Sequence, residues 1–417
     1  MTKSSKSKVG IWIAGARGGV ASTAILGLTA LKSGKTQTVG LVTENADFKD
    51  VEFPAWSDFV VGGCEIRNGS IADTVSELGG VHPAINPELV RSCKRELTAI
   101  DSRLSLGTLR GSGDTIRSLS DLSVPYEETA LATVERLQAQ MDEFVQANRL
   151  DRLIVVNLTS TEPGSSTVDE IVALNESDGE AAMLKAWDKA LTRKCADRSP
   201  ASLPASTLYA YAAMNRGWTF INFTPSSGAP LPLARIWSEQ SGASFMGCDG
   251  KTGETLMKSV LAPMFRYRNL NVMSWVGHNI FGNLDGVVLD DPANKSTKVH
   301  SKDHLLGEIL GYRPQTLVSI EYIKSLGDWK TAWDHIHFQG FLGTPMTLQF
   351  TWQGCDSILA APLVLDLVRL AETAARRGQY GHLDFLASFF KSPQGAATHD
   401  FAKQYLALYD WIMKQQQ

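Results

Sequence analysis

The hydrophobic pattern opens with an apolar run, Val9 to Ala14, that ends in Gly15-Ala16-Arg17-Gly18-Gly19. An Ala/Leu-rich stretch from Val20 to Leu31 follows and stops at Gly34, as a helix should. Thr38 to Thr43 reads as a second strand, and Asp58 to Gly63 as another that ends in a glycine turn. Strand, glycine turn, helix and strand make the opening βαβ unit of a dinucleotide-binding fold. Ser123-Val124-Pro125 predicts the start of a long amphipathic helix, capped by Ser123 and running to about Asn148. Leu153 to Leu158 is apolar up to Asn157, the pattern of a strand covered on both faces. Thr207 to Met214 predicts a helix and Thr219 to Phe223 the next strand, so the chain up to about residue 250 reads as a parallel α/β sheet.

Beyond that point the pattern changes. Val272 to Val276, Val287 to Leu289, Leu317 to Tyr322 and Thr347 to Trp352 are spaced strand candidates with one or two helices among them. They predict a separate α+β domain with an open, partly antiparallel sheet. A long apolar helix over Ile358 to Ala375 and short helices complete the chain.

Composition narrows the class. A chain of 417 residues predicts two to three domains, and 43% apolar with 20% charged residues is ordinary globular composition. Forty basic against 44 acidic residues leave a net charge of −4, which argues against a general nucleic-acid binder. No apolar run approaches the roughly 18 residues of a membrane span. The basic MTKSSKSK start precedes only a short strand and predicts a disordered tail rather than a signal peptide. Cys64, Cys93, Cys195, Cys248 and Cys355 are odd in number and contain no CxxC, as expected of reduced thiols in a cytoplasmic protein.

The glycine cluster is the first chemical signal. Counted from Gly15, the strict GxGxxG fails at Arg17 and Val20, so a tight structural turn competes with nucleotide binding; its place after the first strand favours the nucleotide. Gly34-Lys35-Thr36 and Gly250-Lys251-Thr252 are not P-loops, because the required earlier glycines are Thr29 and Phe245. A second signal lies between residues 247 and 286, where MGCDGKTGETLMKS and VGHNIFGNLDG concentrate Asn, Asp, Gly and Lys. Such strings are either site residues at strand ends or turn chemistry. Lys298, Lys302, Lys330 and Lys391 each read alone as solvated surface residues; converging on one cleft, they would make a phosphate or oxyanion site. His300 and His304 are four apart but lack an HExxH carboxylate, so no metal site is expected, and His335 and His337 suit structural roles.

Taken in order, these segments resemble the myo-inositol-1-phosphate synthase family. Its GDD-x-K-S-G-Q-T-x-x-K-S pattern is echoed from Gly247 to Ser259, and its Y-N-H-L-G-N-N-D-G from His278 to Gly286. Its S-K-x-x-x-K aligns with Lys298 and Lys302, its Y-x-x-x-x-G-D-S-K with Tyr322 to Lys330, and its D-S-L-L-A-A-P with Asp356 to Pro362. LDRLIVVNLTSTE at 150–162 and DFVVGGCEI at 58–66 also match. The chain departs from the pattern where both asparagines of the glycine loop are replaced, by Gly19 and Val20, and where Cys64-Glu65-Ile66 stands for W-D-I. Cys248 and Leu284 replace an Asp and an Asn.

The resemblance implies a Rossmann-like NAD-binding domain over 1–250 and 359–417, with an inserted α+β catalytic and oligomerisation domain over 251–358. It implies conversion of D-glucose 6-phosphate to 1D-myo-inositol 3-phosphate by internal oxidation, enolisation, aldol closure and reduction, in a homotetramer using NAD. Catalysis would fall to Lys298, Lys302, Lys330 and Lys391, with Asp249 orienting a lysine near the nicotinamide and Asp328 steering Lys330. Gly15, Arg17, Gly18, Gly19, Val20, Glu65, Thr159, Ser160 and Asp285 would hold the cofactor, with Glu44 competing as the ribose acid. Ser259, Asn279 and Asn283 would line the sugar phosphate. A related cyclase or oxidoreductase acting on another sugar phosphate, and a non-catalytic NAD-binding protein, are the alternatives.

Overall fold

In the computed structural model, residues 7–80, 83–127, 129–199, 201–283, 286 and 305–416 are described. Seven strands form a parallel sheet: β1 (Val9–Ala14), β2 (Phe59–Glu65), β3 (Leu104–Leu106), β4 (Arg152–Asn157), β5 (Thr219–Asn222), β6 (Ser244–Gly247) and β11 (Gly381–His382). Their order, β11-β6-β5-β4-β1-β2-β3, contains the 3-2-1-4-5-6 arrangement of dinucleotide-binding folds, with β11 added at one edge. All six residues of β1 are buried. Val9, Ile11 and Ile13 enter one apolar layer while Trp12 and Ala14 enter the other, which is why the strand reads as an unbroken apolar run. The first layer includes helices Gly19–Lys32 and Asp356–Arg376, and the second includes Ala130–Asn148 and Ala205–Met214.

Four further strands form a second sheet in the order β10-β9-β7-β8: β7 (Asn271–Phe281), β8 (Gln315–Tyr322), β9 (Trp329–Gln339) and β10 (Pro345–Cys355). β9 runs antiparallel to β7 and β10, while β7 and β8 are parallel. Helix Gly253–Tyr267 packs on this sheet through Ala262 and Phe265, against Trp275 and Ile336. Among the described residues no helix is long and apolar enough to cross a membrane.

Two expectations are corrected. Thr38–Thr43 is not the second strand of the sheet; β2, residues 59–65, takes the place beside β1. Gly40 sits at φ +93°, and the Asp366 carboxylate accepts from the backbone N–H groups of Val42 and Thr43 at 2.6 and 3.0 Å. Those donors are therefore spent on a side chain rather than on a neighbouring strand. Ser123 caps no helix: the long helix begins at Ala130, where the Thr129 hydroxyl accepts from Ala132 N at 3.1 Å. The strand expected at Val287–Leu289 lies outside the described residues.

Candidate active site

β1 ends at the point where the sheet order reverses, with β2 on one side and β4 on the other. Such a switch point opens a crevice beyond the carboxyl ends of the strands. Gly15 turns the chain there at φ +80°, donating from its N–H to Cys64 O at 3.0 Å. A Cβ at this position would lie 3.0 Å from the Leu158 carbonyl oxygen, so both the conformation and the space require glycine. Helix Gly19–Lys32 starts three residues after Ala16, and among the described residues no side chain caps its first turn. Its leading N–H groups thus suit an anion.

A cavity of about 440 Å³ occupies this crevice. One wall carries Gly15, Arg17, Gly18, Gly19 and Val20, together with Glu65, Thr159 and Ser160 from the ends of β2 and β4. Glu65 is 3% exposed and accepts from Arg17 N at 2.7 Å and Ile66 N at 2.8 Å. The Arg17 guanidinium itself turns to Asp101, at 3.0 Å. Glu44 is elsewhere: it ends the turn Val42–Glu44 and pairs with Arg369. A glycine turn, an uncapped helix start and an acid at the end of the second strand fit a dinucleotide.

The second sheet and its adjoining segments bring Asn279, Asn283, Asp328 and Lys330 to the same cavity, and the segments that follow β6 and β11 of the parallel sheet bring Asp249 and Lys391. Lys391 Nζ stands 3.0 Å from Asp249 Oδ1. Asp249 adopts the left-handed conformation at φ +63°, pinned by Asp249 N to Thr224 O at 3.0 Å and Lys391 N to Asp249 O at 2.6 Å. Held strain of this kind clusters at functional sites. Lys330 Nζ lies 3.4 Å from Asp356 Oδ2 and 5.3 Å from the centre of the Phe281 ring.

Asp328 does a different job from the one expected. It accepts from Ser357 N at 2.6 Å, Asn283 Nδ2 and Ser357 Oγ at 2.9 Å, and Cys355 Sγ at 2.8 Å, while Asp356 takes the lysine. Burial raises the Asp328 carboxyl above the usual range, with the hydrogen bonds acting in the opposite direction. Burial likewise pushes the Cys248 thiol up to about 12, with Asp249 beside it adding to the effect, so Cys248 is no thiolate nucleophile near neutrality.

Ser259 does not line the cavity: it is fully buried on helix Gly253–Tyr267, and its hydroxyl donates to Leu256 O at 2.8 Å. Lys298, Lys302 and Asp285, with His300 and His304, lie outside the described residues. Among the described residues no group of three or more His, Cys, Asp or Glu side chains is placed to hold a metal ion. Lining residues that motif reading passed over are Glu162, Glu254 and Asp356. All three stand inside matched strings, yet nothing in their spacing marks them as facing a cleft.

The sequence matches the family profile described as myo-inositol-1-phosphate synthase over residues 9–413. Inositol-3-phosphate synthase 1 of Bacteroides thetaiotaomicron is 31% identical over 423 aligned positions, covering 96% of this chain and 92% of that one. The fold is similar to the inositol-3-phosphate synthase of Caenorhabditis elegans, with TM-score 0.80 and 21% identity over 99% of this chain and 86% of that one. A myo-inositol-1-phosphate synthase-related protein of Thermotoga maritima gives TM-score 0.73 and 22% identity, over 97% of this chain and 98% of that one. With a profile match spanning nearly its whole length and a relative of comparable size at this identity, the chain belongs to the myo-inositol-1-phosphate synthase family.

Proposed function

We propose that the protein is an inositol-3-phosphate synthase, an isomerase that closes D-glucose 6-phosphate into 1D-myo-inositol 3-phosphate. The observation that carries this reading is the meeting of two carboxylate-held lysines, Lys330 and Lys391, with the glycine turn in one cavity. NAD, bound along the glycine wall, supplies a reversible hydride acceptor at C5 of the sugar. The residues of that wall divide the work: the first turn of helix Gly19–Lys32 meets the pyrophosphate and Glu65 the ribose.

Chemistry on the substrate sets the remaining demands. A keto group at C5 acidifies the C6 hydrogens, and the C6 enolate attacks the C1 aldehyde. Negative charge grows on the C5 oxygen during enolisation and on the C1 oxygen during ring closure, so fixed cations in a sheltered cavity stabilise both stages. Lys391, steadied by Asp249, is assigned to proton transfer at the C5 oxygen together with Lys298. Lys330, steadied by Asp356, polarises the C1 carbonyl with Lys302. Asp328 positions Asn283 against the substrate and ties it to Ser357. The roles of Lys298, Lys302 and Asp285 rest on the aligned motifs.

The same reading assigns 1–250 and 359–417 to cofactor binding and 251–358 to catalysis and oligomerisation. A homotetramer is supported by apolar side chains left in solvent on the second sheet and its turn, Leu317, Trp333, Phe341 and Leu342, with Phe341 89% exposed. All five cysteines are free, which suits the reducing cytoplasm. The test of the activity is incubation with glucose 6-phosphate and NAD, followed by phosphorus NMR. An inositol phosphate signal that requires NAD is expected, and unchanged glucose 6-phosphate contradicts the reading.

A further inference from the structure

Glu254 stands in the first turn of helix Gly253–Tyr267, is 2% exposed and lines the cavity. Each of its carboxylate oxygens has a partner: Lys258 Nζ is 2.6 Å from Oε1, and Asn279 Nδ2 donates to Oε2 at 2.8 Å. Lys258 is buried as well, its ammonium lying 5.9 Å from the centre of the Trp275 ring. A carboxylate bridging a lysine and an amide can only accept, so the nitrogen of the Asn279 amide must face it. The second neighbour of that nitrogen is the Ser319 carbonyl oxygen at 3.5 Å, again an acceptor. At 3.5 Å that contact is at the limit of a hydrogen bond, so the amide orientation is set chiefly by Glu254.

The consequence falls on the other end of the amide. Asn279 is fully buried on β7, it lines the cavity, and among the described residues its Oδ1 has no hydrogen-bond partner. A buried acceptor left without a donor is unfavourable, and a ligand that brings a donor removes the penalty. Phosphate oxygens bring none, whereas sugar hydroxyls do.

We propose that Asn279 Oδ1 accepts a hydrogen bond from a hydroxyl on the carbon chain of the sugar phosphate, and that Glu254 is the positioning residue that fixes this polarity. The inference rests on the sugar-phosphate reading and adds a specificity contact to it. Glu254→Gln should invert the contact. Glutamine has one acceptor oxygen, which the Lys258 ammonium takes; its NH₂ then faces Asn279 and turns that amide over, presenting Nδ2 to the cavity.

The experiment compares kcat/KM of the NAD-loaded wild type, Asn279→Ala and Glu254→Gln on glucose 6-phosphate and on its 2-, 3- and 4-deoxy and deoxyfluoro analogues. Fluorine accepts weakly but cannot donate, so it separates the two polarities. At one position the wild type should lose about 10- to 100-fold on both analogues. Glu254→Gln should handle the deoxyfluoro sugar about tenfold better than the deoxy sugar at that position. Asn279→Ala should lose discrimination there and keep it elsewhere; Asn279→Ser replaces it should the alanine variant fail to fold. An equal loss on every sugar in the Asn279 variant, or a deoxyfluoro-to-deoxy ratio in Glu254→Gln equal to that of wild type, overturns the inference alone. A wild type that turns over none of these sugars overturns the synthase reading and the inference with it.

Discussion

Lys330 and Lys391 come from distant parts of the chain, and each is held by a carboxylate at one cavity. In the proposed mechanism, removing Lys330 takes away a cation that acts on the reacting oxygen without touching the glycine wall. Lys330→Ala is thus expected to lower kcat by roughly 100- to 1,000-fold while NAD affinity, followed by fluorescence titration, stays near wild type; near-normal turnover removes Lys330 from the mechanism. Glu65→Ala should weaken NAD about tenfold or more by deleting a charged acceptor, and Glu44→Ala should not. The reverse pattern would mean that the ribose acid is Glu44. Glu162 makes a different prediction, about stability. It is 3% exposed, accepts from Ser206 N, and burial pushes its carboxyl from the ordinary value near 4.5 to about 7. The folded state therefore holds a proton that the unfolded state releases. Stability from this group falls as pH rises from about 4.5 to about 7 and is flat beyond, by about 3 kcal/mol at most. Urea denaturation at pH 5 and pH 8 should show Glu162→Gln gaining on wild type at the higher pH; parallel curves contradict the assignment.

At the scale of elements, what the sequence revealed depended on how each strand is covered. β1 and β4 are buried on both faces and stand out as apolar runs. β9 escaped notice because one of its inward positions is polar: Ala332, Asp334 and Ile336 all face inward, and Asp334 Oδ1 accepts from Trp275 Nε1 at 2.7 Å. Without that partner in view, a charged residue in the alternation reads as a loop. Thr38–Thr43 failed in the opposite sense, with strand-like residues whose N–H groups are claimed by Asp366, far away in sequence. Asp366 is fully buried and also accepts from Thr43 Oγ1 at 2.7 Å. Asp366→Ala should strand these donors and lower the unfolding free energy by about 2–4 kcal/mol, read by denaturant titration. A loss within about 0.5 kcal/mol would show that water replaces the carboxylate.

For the whole molecule, the site exists because two sheets meet: the glycine wall closes the carboxyl end of the parallel sheet, and the second sheet supplies Asn279 and Lys330 across the gap. Motif order along the chain made most of this wall-by-wall assignment legible, because the matched strings at 58–66, 150–162, 247–259 and 278–286 each include the last residue of a strand. Pairings were not legible, since they are set by tertiary approach: Asp356 rather than Asp328 takes Lys330, and Ser259 turns into its own helix. The central claim is that oxidation and reduction occur on one bound sugar, with no net redox change. Glucose 6-phosphate deuterated at C5 tests this most directly, in an incubation with NAD analysed by mass spectrometry and absorbance. The account predicts an inositol phosphate that keeps its deuterium, with no accumulation of NADH. Loss of the label, or NADH rising in step with product, would contradict it.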